Sequence, residues 1–237
     1  MNLLFDNKNE LLDNIEKYYK NSEKINHEFG GPSTYFHVEC IKEGKKDFLS
    51  FRHIELIYAT LTSWGMHRMG NPEQTKAKMV NFDVFAQSIE KNKELLTELH
   101  NEKLESTNLE EIKDKLKTLF KNLEGSISKS KLVANSKIMH HLLWDLIPPM
   151  DRNFTIRFFY YPKDQFFSKS KNGKRKLKNI SYKNEEEFGM FWAMLCEMKD
   201  IAKKERLKFK ITDENFDTSI PKIIDNLIMA FVKDVKK

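Results

Sequence analysis

Residues that end helices or form tight turns are scarce in this chain. Only 8 glycines and 6 prolines occur among its 237 residues, although 32% of the residues are charged and 40% are hydrophobic. A protein built from many short strands needs frequent turns, whereas a protein built from long helices does not. The sequence therefore predicts an all-α fold, and its length suits a single compact multi-helix domain over residues 1–237.

Apolar residues recur at helical spacing through most of the chain. The clearest apolar face runs from Phe48 to Trp64, and Gly65 is predicted to end that helix. Two segments leave the element type open. Residues 154–160 fit a short helix or a strand, and residues 206–212 (RLKFKIT) alternate as one arm of a small late β-hairpin would.

Positive charge is concentrated in one segment. The whole chain carries a formal net charge of +6, with a pI of about 9.0. Residues 163–183, called the basic loop below, are rich in lysine and nearly free of acidic residues. We predict DNA as the partner, with Lys174, Arg175 and Lys176 contacting phosphates and Phe166 near enough to stack on a base. The alternative is an ordinary solvated surface.

The cysteines and the apolar runs indicate the cellular compartment. Cys40 and Cys196 are far apart and form no ligand cluster, which favours reduced thiols. The N-terminal segment carries Asp6 and Lys8, so no signal peptide is predicted. No apolar run is long enough to span a bilayer. We expect a cytoplasmic protein without a membrane segment, and its oligomeric state is left open.

The segment Leu132–Phe159 (LVANSKIMHHLLWDLIPPMDRNFTIRFF) combines an apolar pattern with a lysine, two adjacent histidines and a double proline. Prolines stop a helix, and the charged pair that follows them then stands at the start of the next element. The predicted order is a short helix at 126–131, a turn at 132–136, a second helix at 137–147 and then Asp151.

This order resembles the helix-hairpin-helix DNA glycosylases over about residues 126–159. The resemblance implies that Asp151 is the essential carboxylate near the start of a helix. It also implies that Lys137, at the start of the hairpin's second helix, is the catalytic lysine of the members with lyase activity. The family's turn usually contains two glycines, whereas residues 132–135 contain none. Asn135 is the residue here that tolerates a left-handed conformation.

The chemistry implied by the resemblance suits these residue types. Breaking an N-glycosidic bond builds positive charge on the sugar, which a carboxylate such as Asp151 stabilises directly or by activating water. A desolvated Lys137 can attack the sugar carbon and form a Schiff base. We therefore expect a DNA-binding protein with base-excision or base-recognition activity, with Arg152 and His140 near the substrate.

Each of these residues also has a purely structural interpretation. Asp151 can serve only as a helix cap, and Lys137 can be an exposed lysine at a helix start. In that case the chain is a non-enzymatic helical interaction protein or a nucleic-acid-binding protein of another role. A concave site containing both residues favours the enzyme, whereas a cap remote from any pocket favours the alternative.

His140 and His141 are adjacent, so on a helix they point about 100° apart and are not expected to face one metal ion. His141 and Asp145 are four residues apart and could pair. No further ligand follows at matching spacing. We therefore predict no metal site and no cofactor, and expect buried histidines or a ring, His140 in particular, that contacts an extruded base.

The segment GMHRMG (residues 65–70) follows the most apolar predicted helix directly. A tight exit from a rigid helix often presents functional side chains. Arg68 is therefore a candidate ligand for a phosphate or carboxylate, with Trp64 as an apolar wall beside the substrate. The alternative is a helix C-terminus at which cationic residues satisfy the last carbonyls.

Several common catalytic motifs do not occur in the sequence. There is no Walker loop, dinucleotide fingerprint, nucleophile elbow or kinase signature. Their absence argues against NTPase, Rossmann-type, esterase-type and kinase chemistry.

Overall fold

In the computed structural model of the chain, residues 3–28, 31–66, 79–128, 130–169, 175–178 and 187–234 are described. These residues contain the α-helices α1 (Asp6–Asp13), α2 (Ile15–Glu28), α3 (Pro32–Lys46), α4 (Phe51–Leu61), α5 (Phe82–Glu90), α6 (Lys93–Leu99), α7 (Leu109–Asn122), α8 (Leu132–Leu142), α9 (Arg157–Tyr160), α10 (Glu187–Ala202) and α11 (Ile220–Asp234). Strands β1 (Phe167–Lys169) and β2 (Arg175–Leu177) pair antiparallel. The predicted all-α fold is confirmed, and the described residues also contain a small two-stranded hairpin.

Helix α8 lies at the centre of the molecule. All of its residues except Val133 are buried, and it contacts α3, α4, α7 and α10. A helix that is buried all round needs partners for every polar side chain it carries. The polar residues of α8 therefore form hydrogen bonds with the neighbouring segments, among them the end of α7 and the loop that contains Pro148 and Pro149.

The remaining helices pack mainly against one another. Helices α3 and α4 pack together on one side, and α11 packs against α2, α10 and the turn before α9. The result is a compact all-α domain. Among the described helices, none combines the length and the apolar character needed to cross a membrane.

The predicted turn at residues 132–136 is wrong, because these residues form the first turns of α8. Residues 126–131 are also not helical where they are described, and Ser126 instead forms an isolated bridge with Met79. The error came from assigning Asn135 to a left-handed turn position. In the structure, Asn135 is a buried helical residue that donates to the carbonyl oxygens of Phe120 and Leu123, at 2.7 and 2.9 Å.

We expect Asn135→Ala to lower the free energy of unfolding by about 2 kcal/mol, because two carbonyl groups at the end of α7 lose their buried donor. Urea unfolding measures this change. The matched control is Asn101→Ala at an exposed position, which should shift stability by less than about 0.5 kcal/mol. Equal effects of the two substitutions would contradict the anchoring role of Asn135.

The late hairpin was predicted in the wrong place. Residues 206–212 do not form a strand, and Glu205–Lys210 is a 3₁₀ helix. A strand would place Leu207 and Phe209 on the same face, yet Leu207 is fully buried and Phe209 is 90% exposed. The hairpin lies instead within the basic loop, where Phe167 pairs with Leu177.

Residues 154–160, whose type the sequence left open, are helical. A π-helical turn (Arg152–Ile156) leads directly into α9. The first residue of α9, Arg157, is completely buried and donates hydrogen bonds to the carbonyls of Asn153, Phe166 and Lys178, at 2.9, 2.7 and 2.6 Å. This one guanidinium group therefore joins the π-helical turn to both ends of the hairpin.

Candidate active site

Two hydrogen-bonded contacts hold the Pro-Pro loop against α8. The Ser136 hydroxyl accepts the backbone N–H of Met150 at 3.1 Å, and His140 Nδ1 donates to the carbonyl of Ile147 at 2.8 Å. Ser136 precedes Lys137 and Met150 precedes Asp151, so the first contact fixes the two candidate catalytic residues relative to each other. Both contacts are buried, where hydrogen bonds are strengthened by the low local dielectric.

Asp151 is both a helix cap and a member of a pocket. Its Oδ1 accepts the backbone N–H of Asn153 at 2.7 Å, while its own N–H donates to Thr155 Oγ1 at 2.9 Å. The other carboxylate oxygen, Oδ2, lies 3.7 Å from Lys137 Nζ. The capping interpretation is therefore correct but incomplete, because only one of the two carboxylate oxygens is used by the cap.

Lys137 lies in the middle of α8 rather than at a helix start. Its side chain is only 9% exposed, compared with 30% for Asp151. Both the interpretation as an exposed helix-start lysine and the position implied by the resemblance, at the start of the hairpin's second helix, are therefore wrong. The Nζ atom lies 5.8 Å from the centroid of the Trp64 ring, which is within the range of a cation–π contact.

Both residues line a cleft of about 340 Å³. Its other walls include three aromatic side chains, Trp64, Phe154 and Phe216, together with Pro149 and Met229. Small-molecule sites typically measure about 300–1,000 Å³, with apolar walls and a few polar groups that fix the ligand's orientation. The cleft has this character and is large enough for a single heterocyclic base.

Trp64 is positioned by the end of α4. The helix passes into a π-helical turn (Thr62–Met66), in which Gly65 adopts a φ of +82°, a conformation that favours glycine. The Trp64 Nε1–H donates to the carbonyl of Ser33 at 3.2 Å. The α-helix therefore ends at Leu61, before the predicted end at Gly65, and the helical conformation breaks at Trp64 and Gly65 within the π-helical turn. Trp64 lines the cleft from this turn.

A second lysine in the cleft was not predicted. Lys222 of α11 has a side chain that is only 4% exposed, and its Nζ lies 2.8 Å from Asp225 Oδ2. It also donates to Asn226, and it lies 5.1 and 5.4 Å from the ring centroids of Phe216 and Trp64. The i, i+3 and i+4 spacing of Lys222, Asp225 and Asn226 indicates that these polar residues share one face of α11, but it does not indicate that this face reaches the cleft.

A chain of buried polar groups continues behind Lys222. Asn226 Nδ2 donates to Asp217 Oδ1 at 2.7 Å, and the Tyr19 hydroxyl donates to Asp217 Oδ2 at 3.2 Å. Burial raises the pKa of Asp217, and burial together with the neighbouring Asp217 carboxylate raises the pKa of Tyr19. These bonds fix the orientation of Asn226 and, through it, of the Lys222 ammonium group.

The remaining predicted site residues are distributed around this cleft. His140 is completely buried next to the cleft wall, 6.4 Å from the Trp64 ring, and does not line the cleft. Arg152 is exposed and is not among the lining residues. Lys176 is exposed on β2, whereas Phe166 is fully buried, so the prediction that Phe166 stacks on a base is wrong. Arg68 and Lys174 lie outside the described residues, and for Arg175 only the backbone, in β2, is described.

The suggested pairing of His141 with Asp145 is wrong. His141 Nδ1 donates to the carbonyl of Lys137 at 2.8 Å, and its Nε2 lies 3.2 Å from Nδ1 of His37. Both ring nitrogens therefore face other groups. His37 is contributed by α3, far away in the sequence.

No protein-family model, curated protein or solved structure matches this chain. The helix–turn–helix order on which the resemblance of residues 126–159 was based is not present in the described part of the chain, so the functional proposal depends on the geometry of the cleft.

Proposed function

We propose that the protein binds DNA and cleaves the N-glycosidic bond of a base held in this cleft. The observation that carries the proposal is the approach of Lys137 Nζ to within 3.7 Å of Asp151 Oδ2 in a cleft with aromatic walls. Enzymes that act on a base extrude it from the helix and stack it on aromatic or apolar side chains. Trp64, Phe154 and Phe216 are suited to that role.

The paired amine and carboxylate support a specific sequence of steps. The Asp151 carboxylate takes a proton from the Lys137 ammonium group, and the neutral amine attacks C1′ of the sugar. The bond between C1′ and the base breaks, and the base leaves with the bonding electrons and is protonated. Opening of the sugar ring with loss of a proton from nitrogen then gives a Schiff base. In a monofunctional enzyme, water activated by Asp151 would replace Lys137 as the nucleophile.

Exposed lysines at the hairpin support a contact with phosphates. The hairpin carries exposed lysines at Lys176 and Lys178, and the chain as a whole is cationic. Arg157 ties the ends of this hairpin to Asn153, close to Asp151 in the chain. A DNA backbone held by the hairpin would therefore be bound by a segment that is structurally continuous with the cleft.

Borohydride trapping tests this proposal directly. Wild-type protein is incubated with duplex oligonucleotides that carry a panel of modified bases or an abasic site, and the reaction is reduced. We expect a covalent adduct with wild type and none with Lys137→Met, because methionine retains the side-chain volume but has no amine. The matched control is Lys46→Met, which removes an exposed lysine of α3 and should leave the adduct unchanged.

The other outcomes distinguish the alternatives. Base release without an adduct supports the water-activated route and overturns the lyase part. An adduct that persists in Lys137→Met overturns the assignment of the nucleophile. Absence of DNA binding at low salt overturns the proposal and leaves a non-enzymatic helical interaction protein. Salt-sensitive binding of single-stranded RNA in preference to duplex DNA would indicate an RNA-binding protein.

A further inference from the structure

Three histidines meet behind the wall of the cleft. His37 of α3 and the adjacent His140 and His141 of α8 are all completely buried. One ring nitrogen from each can be chosen so that all three atoms lie within 4.8 Å of one another. The expectation that His140 and His141 would point too far apart to share a ligand is thus wrong, and the third imidazole comes from a distant part of the chain.

The hydrogen bonds of the adjacent pair fix where their lone pairs lie. His140 Nδ1 and His141 Nδ1 each face a backbone carbonyl, of Ile147 and Lys137 respectively, at 2.8 Å. A carbonyl oxygen only accepts, so both Nδ1 atoms carry the hydrogen. In the neutral rings the lone pair is therefore on Nε2. Histidines that bind metals are usually oriented in this way, with the other ring N–H donated to a carbonyl or carboxylate.

His37 can present a lone pair to the same point. Its Nε2 lies 2.8 Å from Thr218 Oγ1, and its Nδ1 lies 3.2 Å from His141 Nε2. A hydroxyl can donate or accept, so Thr218 is compatible with either tautomer of His37. When His37 Nε2–H donates to Thr218, Nδ1 offers a lone pair alongside His141 Nε2.

His140 Nε2 has no hydrogen-bond partner although it is buried. A buried polar atom left unpaired costs about 1–3 kcal/mol, so its retention calls for an explanation. We propose that His37 Nδ1, His140 Nε2 and His141 Nε2 form a binding site for a late first-row transition-metal ion such as Zn²⁺. Three protein ligands and one water are a common ligand set for zinc, and imidazole suits zinc, copper, iron and nickel.

The distances and charges around the cluster are compatible with an ion. Zinc–nitrogen bonds of about 2.0–2.1 Å in a tetrahedron place neighbouring nitrogens roughly 3.4 Å apart, close to the 3.2 Å between His37 and His141. The other distances among the three ligand nitrogens, which are at most 4.8 Å, would shorten when an ion binds. The nearby ammonium groups of Lys137 and Lys222 are each close to a carboxylate, of Asp151 and Asp225 respectively, which offsets their repulsion of a cation.

Burial also keeps the ligands in the form that binds metals. Desolvation is the main cause that lowers the pKa of all three histidines, and it brings that of His141 to about 3. Neutral imidazoles therefore prevail at neutral pH, and a metal would not have to displace protons from them. The rings of Trp64 and Phe216 lie 5.2 and 5.6 Å from that of His37 and separate the cluster from the cleft.

Cobalt binding provides the test, because tetrahedral or five-coordinate Co²⁺ absorbs visible light much more strongly than hydrated Co²⁺. Chelator-treated full-length protein is titrated with Co²⁺ and then with Zn²⁺, and the melting temperature is measured in parallel. We expect one equivalent of Co²⁺ to produce visible absorption bands, Zn²⁺ to displace it, and either ion to raise the melting temperature. His140→Phe should abolish the bands.

Two further variants make the test specific. His53 is a matched control, since it is also fully buried, bonds a carbonyl through Nδ1 and leaves Nε2 unpaired, but it is not part of the cluster. His53→Gln should therefore retain the bands. Thr218→Val keeps all three ligands and should weaken Co²⁺ binding roughly 10- to 100-fold. Absence of bands in wild type, or equal binding by wild type, His140→Phe and Thr218→Val, would overturn the proposal.

Discussion

Asp151→Asn is expected to reduce base release by about 10²- to 10⁴-fold while leaving the stability of the protein nearly unchanged. The amide has the same shape as the carboxylate, and its oxygen can still accept the backbone N–H of Asn153 that Oδ1 accepts at 2.7 Å. What is lost is the negative charge beside Lys137 Nζ. Single-turnover base release and urea unfolding measure the two quantities separately.

Asp151→Ala is the companion variant, because it removes both the charge and the cap. We expect a similar loss of base release together with a loss of about 1 kcal/mol in stability. If Asp151→Asn released the base at the wild-type rate, Asp151 would be a helix cap only. A loss of activity in Asp151→Ala alone would then reflect the damaged turn rather than a missing charge.

The parts of the site that could be predicted from the sequence are those defined by local order. The sequence placed the prolines and Asp151 in a connection after the helix, and the bonds of Ser136 and His140 hold that connection against α8. The helix itself ends at Leu142 and not at Ile147 as predicted, so the prolines do not stop it. Trp64 could be predicted at a helix end because Gly65 follows it. Lys137, Asp151 and Trp64 do line one cleft, while their roles in catalysis stay predictions.

The parts that could not be predicted depend on contacts between distant segments. Lys222 reaches the cleft from α11, and His37 reaches the histidine cluster from α3. The sequence near each residue does not indicate which distant segment it contacts. The prediction of a turn at residues 132–136 was wrong for a related reason. Asn135 was judged by its backbone preference, whereas its side chain is used to hold the end of α7.

Arg157→Met is expected to lower the free energy of unfolding by about 3 kcal/mol. Methionine fills much of the same volume, but it leaves the carbonyls of Asn153, Phe166 and Lys178 without the donors that now lie 2.6–2.9 Å away. Arg157→Lys should also be destabilising. An ammonium group is a compact donor and cannot reproduce the planar fork that reaches three separate carbonyls.

Arg152→Met is the matched control for Arg157→Met, because Arg152 begins the same π-helical turn but is exposed. It should change stability by less than about 0.5 kcal/mol in the same urea titration. Arg157 joins the hairpin to the turn that Asp151 caps, so its loss should also weaken DNA binding by the folded protein. Full stability in Arg157→Met would show that the hairpin is held by its apolar contacts, with Phe166 and Phe167 buried, and not by the guanidinium group.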